Sequence, residues 1–367
     1  MLTQSEIKTL IRSREELFLL CHSRPVVIYG AADGADKVIR YLRLHGIEPA
    51  ACAVDPAYLP ANPCKCLQDG GQTLEYPIYS TEDLKSHYPE FITAQACDPG
   101  RGLIMLPGQL RSFIPWGFAG FHTPDYFSED FMNRNLESLR KLESELSDEK
   151  SVRLLDAFMK AMISYDLSYL KNLWSFPQYF HPDFLDFTDR ETAVDCGAFD
   201  GDTLRAFLDR TNHHFQGYHA LEPDPVNFRK LEACAKSLDT SRIKVYPCGT
   251  GAEEAILNFT SSEDSAAGFK QDGTIKVKVN SLDHLIPDEP VSFIKMDVEG
   301  AELDSLKGAA GIIRRNKPKL AICVYHKDED LITIPAYIKS LVPEYQFKLG
   351  YHSYREIELV LYAYLPQ

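Results

Sequence analysis

The chain has 367 residues, more than one hydrophobic core ordinarily serves, so its length predicts two domains. Its 44% hydrophobic and 25% charged residues are those of a folded globular protein and exclude extensive disorder. A net charge of -14 counts against nucleic-acid partners, which demand clustered Lys and Arg, and no apolar run is long enough to span a bilayer, so no membrane partner is expected.

The first residues, Met1 to Glu6, lack a basic segment leading into an apolar run, and a cytoplasmic location is expected. After a helix-like stretch, Arg24 to Gly30 reads as a buried strand meeting a Gly turn, Asp36 to His45 as a helix and Ile47 to Val54 as a second strand. This βαβ unit ends at Asp55, where dinucleotide-binding domains place a ribose-binding carboxylate. A G-x-G-x-x-G turn starting at Gly30 needs glycine where Ala32 and Ala35 stand, so residues 1–114 are expected to form a Rossmann-like scaffold that binds neither NAD nor NADP. Tyr76 to Ser80 and Phe91 to Ala94 add strand-like runs. Cys64 and Cys66, with Cys52 upstream, lack the second ligand pair of a structural zinc site. The nine cysteines form no paired framework, so free thiols are expected.

Residues 115–190 read as a connection. Pro115 to Asp130 has no clear period, Phe131 to Leu146 is helix-like, and Ser151 to Trp174 carries Leu154, Leu155, Phe158, Met162 and Leu167 near helical spacing. From 191 to 367 strands and helices alternate, implying a largely parallel, doubly wound sheet. Strands are expected near Thr192–Cys196, Tyr218–Leu221, Arg242–Tyr246, Ala255–Phe259, Lys276–Asn280, Phe293–Met296 and Leu320–Val324, with a closing hairpin of Glu344–Leu349 and Glu358–Tyr364.

The chemistry concentrates at strand ends. Asp195-Cys196-Gly197-Ala198-Phe199-Asp200-Gly201 is a Gly-containing turn opening a helix, a place where backbone N–H groups and a close approach suit a ligand carboxylate. The next strand ends in Glu222-Pro223, where a carboxylate meets ribose hydroxyls. A third strand delivers Asp297, Glu299 and Glu302 together at the ligand-binding edge, followed by Leu303, Leu306, Lys307 and Gly308. Glu302 equally suits the positive end of a helix, and the three carboxylates suit a divalent cation, although their spacing defines no ligand geometry. His326 follows a further strand, and an imidazole there is expected to titrate near neutral pH, as a base or as a structural residue. His213, His214 and His352 lack this placement and are expected on the surface or in loops.

With Asp297-Val298-Glu299-Gly300-Ala301-Glu302 and the Leu-Lys-Gly that follows, the chain resembles the FkbM family of S-adenosylmethionine-dependent methyltransferases. The resemblance runs from about Thr192 to Tyr364 and includes Ser281-Leu282-Asp283; Tyr179-Phe180 resembles a subgroup with an N-terminal Rossmann-like extension. It implies a class I methyltransferase domain that binds S-adenosylmethionine through Asp195, Gly197, Gly201 and Glu222 and methylates oxygen on a small, sugar-like acceptor. Phe199 departs from the family, where Asn is frequent. An alcohol acceptor loses its proton during or after attack, and Asp297 is the first candidate base, with His326 the competitor. A regulatory protein that binds the cofactor without turnover is the alternative, and the sequence leaves a homo-oligomer open.

Overall fold

The computed structural model describes residues 2–96, 106–113, 127–238, 241–260, 268–269, 273, 275–353 and 358–366. Of the irregular stretch expected over Pro115 to Asp130, residues 115–126 lie outside these. The chain divides into two compact units, one of Met1–Glu137, Arg153–Trp174 and Ser353–Ile357, the other of Ser138–Val152, Ser175–His352 and Glu358–Gln367. The segment 115–190 thus contributes to both.

Helix α1 (Gln4–Ser23) opens the first unit with a capping box in which Thr3 and Glu6 satisfy each other's backbone N–H groups. Strands β1 (Val26–Tyr29), β2 (Ala51–Val54), β3 (Cys64–Asp69), β4 (Gln72–Ser80), β5 (Phe91–Gln95) and β6 (Gln109–Phe113) form one sheet in the order β3-β4-β2-β1-β5-β6. Helix α2 (Asp33–Leu44) connects β1 to β2, which pair in parallel, and α3 (Leu84–His87) precedes β5. β2 is shorter than the run from Ile47 suggests. Gly46 turns the chain at φ +70°, the Ile47 N–H returns to Leu42 O, and Pro49 has no N–H to give a ladder. Cys64 and Cys66 lie on β3, antiparallel to β4, whereas Cys52 is buried in β2. The Tyr29 hydroxyl donates to Asp55 at 3.1 Å.

Helices α4 (Glu129–Glu145) and α5 (Glu149–Ser164) follow in the chain. The second sheet comprises β7 (Thr192–Cys196), β8 (Gly217–Leu221), β9 (Ile243–Tyr246), and later strands, with α6 (Asp202–Arg210) and α7 (Pro225–Ser237) as crossovers. An inserted four-stranded sheet follows, made of β10 (Gly249–Thr250), β11 (Ala255–Thr260), β12 (Gly268–Phe269) and β13 (Ile275–Asn280). After α8 (Leu282–Leu285) the main sheet resumes with β14 (Phe293–Met296), followed by α9 (Glu302–Gly308) and α10 (Ala310–Asn316). It ends with β15 (Lys319–Cys323), α11 (Asp330–Leu341), β16 (Gln346–Tyr351) and β17 (Leu359–Tyr364).

The main sheet has the order β16-β17-β15-β14-β7-β8-β9 and is parallel except at β17, which runs against both neighbours. Every residue of β7 and β14 is buried, as expected of parallel strands covered on both faces. Strand order reverses between β7 and β14, and a ligand crevice is therefore expected at their carboxyl ends. Among the described residues, no helix is long and apolar enough to cross a membrane.

Candidate functional site

Asp195 and Lys295 face each other across the β7–β14 pair. Lys295 Nζ lies 3.0 Å from Asp195 Oδ1 and donates to Gly197 O at 2.6 Å, while the Tyr218 hydroxyl donates to Asp195 Oδ2 at 2.7 Å. Burial works against the Lys295 ammonium, but Asp195 and Asp297 outweigh it and hold its pKa above the ordinary lysine range. The Asp195 carboxylate is thus spent inside the protein, where it fixes the floor of the turn; it caps no helix.

The two glycines of that turn have different neighbours. Gly197 has φ +82°, and a Cβ there would stand 1.9 Å from Asp297 O, so the first turn and the acidic loop touch backbone to backbone. Gly201, at φ +90°, caps α6; its missing Cβ faces Cys234 Sγ at 3.0 Å and Leu231 on α7. The side-chain volume excluded at Gly201 is therefore volume of the domain's own helix packing. Phe199, between them, takes φ +47°, a left-handed conformation that Asn enters more readily than Phe.

Glu222 is buried beside this turn. Its Oε2 accepts the Phe199 N–H at 2.9 Å and its Oε1 the Asp224 N–H at 2.8 Å. A carboxylate has about four acceptor positions, so each oxygen retains one for a further donor. Burial pushes its pKa up to about 7 against these hydrogen bonds.

Asp297 follows β14, and its Oδ2 accepts the Tyr179 hydroxyl at 2.9 Å. Its Oδ1 lies 3.6 Å from His326 Nε2, and Glu299 Oε2 lies at the same distance from that nitrogen. On the other side of the ring, His326 Nδ1 is 2.9 Å from Glu302 Oε1, which also accepts the Val298 N–H at 2.9 Å. Glu302 thus does more than favour a helix end: it ties the 298–300 turn to the imidazole. Burial lowers the His326 pKa, but Glu302, Glu299 and Asp297 together raise it to about 10. A ring that holds its proton at neutral pH is poorly suited to accept another, which weighs against His326 as the base. Burial likewise raises Glu299 to about 8.

Two further site residues were not read as such in the sequence. Tyr179 also accepts from Gln178 Nε2 at 2.8 Å, and Gln178 in turn donates to Glu358. Burial raises Glu358 to about 7, with the Asp297 charge adding to it. Tyr179, Phe199, Glu299 and Glu358 are four of ten described non-glycine residues at positive φ, a concentration of backbone strain typical of functional sites. Beside the loop opens a cleft of about 440 Å³ whose lining includes Thr250, Glu253, Leu257, Glu299 and Lys327.

The histidines set aside in the sequence divide. His213 and His214 are exposed, whereas His352 lies in a loop, as one alternative had it, but is buried there between Ser175 O and the Tyr362 hydroxyl, with its pKa lowered to about 4 by burial. All eight described cysteines are free thiols.

A parallel sheet with a strand-order reversal, a Gly turn after its first strand and a carboxylate after its fourth define a Rossmann-like methyltransferase domain. Residues 195–354 match the methyltransferase FkbM domain model. The crystal structure of methyltransferase FkbM from Methylobacillus flagellatus is similar over 98% of this chain and 99% of its own, at 26% identity and a TM-score of 0.72. An rRNA methylase from Streptococcus thermophilus shares 17% identity over 50% of this chain and 91% of its own, with a TM-score of 0.33. Aeropyrum pernix fibrillarin, solved with S-adenosyl-L-methionine, shares 13% identity over 49% of this chain and 69% of its own, with a TM-score of 0.32. No curated protein matches the chain.

Proposed function

We propose that this methyltransferase uses S-adenosylmethionine to methylate a hydroxyl group of a small, sugar-like acceptor. The observation that carries the reading is the contact between the Gly197 turn and Asp297 O, which sets a cofactor-type turn beside a carboxylate able to take a proton. The residues fit the cofactor: Glu222 keeps an acceptor position on each oxygen for ribose hydroxyls, and the turn through Gly197 and Gly201 borders the crevice at the strand-order reversal. When bound, S-adenosylmethionine supplies a methyl group activated by a sulfonium.

The chain's own part is positioning and proton removal. Tyr179 holds Oδ2 of Asp297 and the Gly197 contact fixes its backbone, so the carboxylate is oriented before an acceptor arrives. Asp297 then takes the hydroxyl proton as the acceptor oxygen attacks. The cleft beside Glu299 admits a small polyhydroxylated molecule, and the net charge of -14 disfavours nucleic acid in that place. Free thiols suit a reducing, cytoplasmic location.

The test is incubation of the protein with methyl-labelled S-adenosylmethionine and metabolite extracts, followed by intact-mass analysis. Enzyme-dependent label on a small hydroxylated compound is expected. Saturable cofactor binding with no label in any extract would replace this reading with that of a regulatory protein.

A further inference from the structure

Around one imidazole the protein gathers more buried carboxylate oxygen than it supplies donors for. Asp297 Oδ1, Glu299 Oε2 and Glu302 Oε2 are all buried and have no hydrogen-bond partner among the described residues. Glu302 is 0% exposed and His326 1%, so neither reaches solvent for compensation. Native proteins leave few such groups, and an ion is one of the standard reasons when they do. The ring is also set as metal-binding histidines are: Nδ1 stands 2.9 Å from the Glu302 carboxylate, and Nε2 faces two carboxylate oxygens at 3.6 Å. Donors sharing one ion at bonds of about 2.1 Å stand roughly 3.0–3.4 Å apart, so Nε2 is within a few tenths of an ångström of that spacing to each oxygen. Ligand atoms of Asp297, Glu302 and His326 lie within 4.8 Å of one another, and Glu299 Oε2 joins the cluster through His326 Nε2, 3.6 Å away.

We infer that this cluster is a binding site for a divalent first-row cation, with His326 Nε2, Asp297 and Glu299 as ligands and Glu302 orienting the ring through Nδ1. One imidazole with two carboxylates suits Mn²⁺, Fe²⁺ or Zn²⁺ better than Ca²⁺. The binding claim is independent of methyl transfer. A role for the ion in polarising the acceptor hydroxyl rests on the proposed reaction.

The experiment is titration of the chelator-treated full chain with Mn²⁺ alone, read by loss of the free-ion electron paramagnetic resonance signal. Saturation near one ion per chain is expected. Glu299→Gln and Asp297→Asn should each weaken binding at least about tenfold, and Glu302→Gln about 10–100-fold through the loosened ring. Asp304→Asn, a change at an exposed carboxylate paired with Lys307, should bind as the unaltered protein does. Because the ion displaces a proton from the imidazole, affinity should rise with pH, a readout that needs no variant. Absence of saturable binding by the unaltered chain, pH-independent affinity, or full affinity in folded Asp297→Asn and Glu299→Gln would overturn the site. Label transfer by chelator-treated protein would leave the methyl-transfer reading standing whichever way the titration falls.

Discussion

Glu302→Gln isolates one charge at the centre of the site while keeping the side chain's shape. The carboxylate oxygen stands 2.9 Å from His326 Nδ1, where a unit charge is worth about 6 kcal/mol at an effective dielectric constant of about 20. That equals about four pH units of proton affinity. Relaxation and the two oxygens that remain at 3.6 Å temper this, so the His326 pKa should fall from about 10 by about two or more. Histidine ¹³Cε1 NMR of the full chain, in chelator and with His326→Gln to assign the signal, measures it directly. The folded-state value lies above the ordinary 6.5, so the stability contributed by the imidazolium is complete below about 6.5 and is lost as pH rises through about 10. Glu302→Gln should move that loss to lower pH. A His326 signal that titrates near 6.5 in the unaltered protein, or one unmoved by the substitution, would refute the account of the cluster.

Glu222→Ala should weaken S-adenosylmethionine by about 1.5–3 kcal/mol, tenfold or more, in a calorimetric titration; unchanged affinity would leave Glu222 only its two backbone hydrogen bonds as a role. Asp297→Asn should lower turnover by about 10²–10⁴-fold with cofactor affinity nearly intact, and near-normal turnover in folded protein would remove it as the base. Gly201→Val should lower the melting temperature as well as cofactor affinity, because the added carbons meet Cys234 and Leu231 and the left-handed backbone is strained. Normal thermal stability with lost binding would show instead that the side chain points to the ligand.

The strands of the second sheet were legible because buried parallel strands are short apolar runs, and Phe293–Met296 coincides with its strand. Asp195, Glu222 and Asp297 were legible for the same reason: each stands at or just after the end of such a run. What the ends touch was not. Lys295 sits inside a quoted motif, yet its pairing with Asp195 depends on strand register. Tyr179 meets Asp297 from 118 residues away, a contact no local spacing encodes. Glu358 was read only as the start of a hairpin strand, and His352 only as a surface or loop residue. Cys64 and Cys66, weighed and set aside as a zinc pair, lie on a strand whose weak alternation did not mark it.

The approach of Gly197 to Asp297 O has a consequence for redesign. Two loops separated by a hundred positions are in backbone contact, so a side chain added to one displaces the other. Residues 195–201 and 297–302 are best transplanted between relatives as a single cassette, and a graft of either alone should misplace its counterpart. The wall of the cleft around Thr250 and Leu257 belongs to the inserted strands and their approach, outside both turns. Under the proposed reaction, acceptor range is therefore a trait to vary there, with the paired turns left as found.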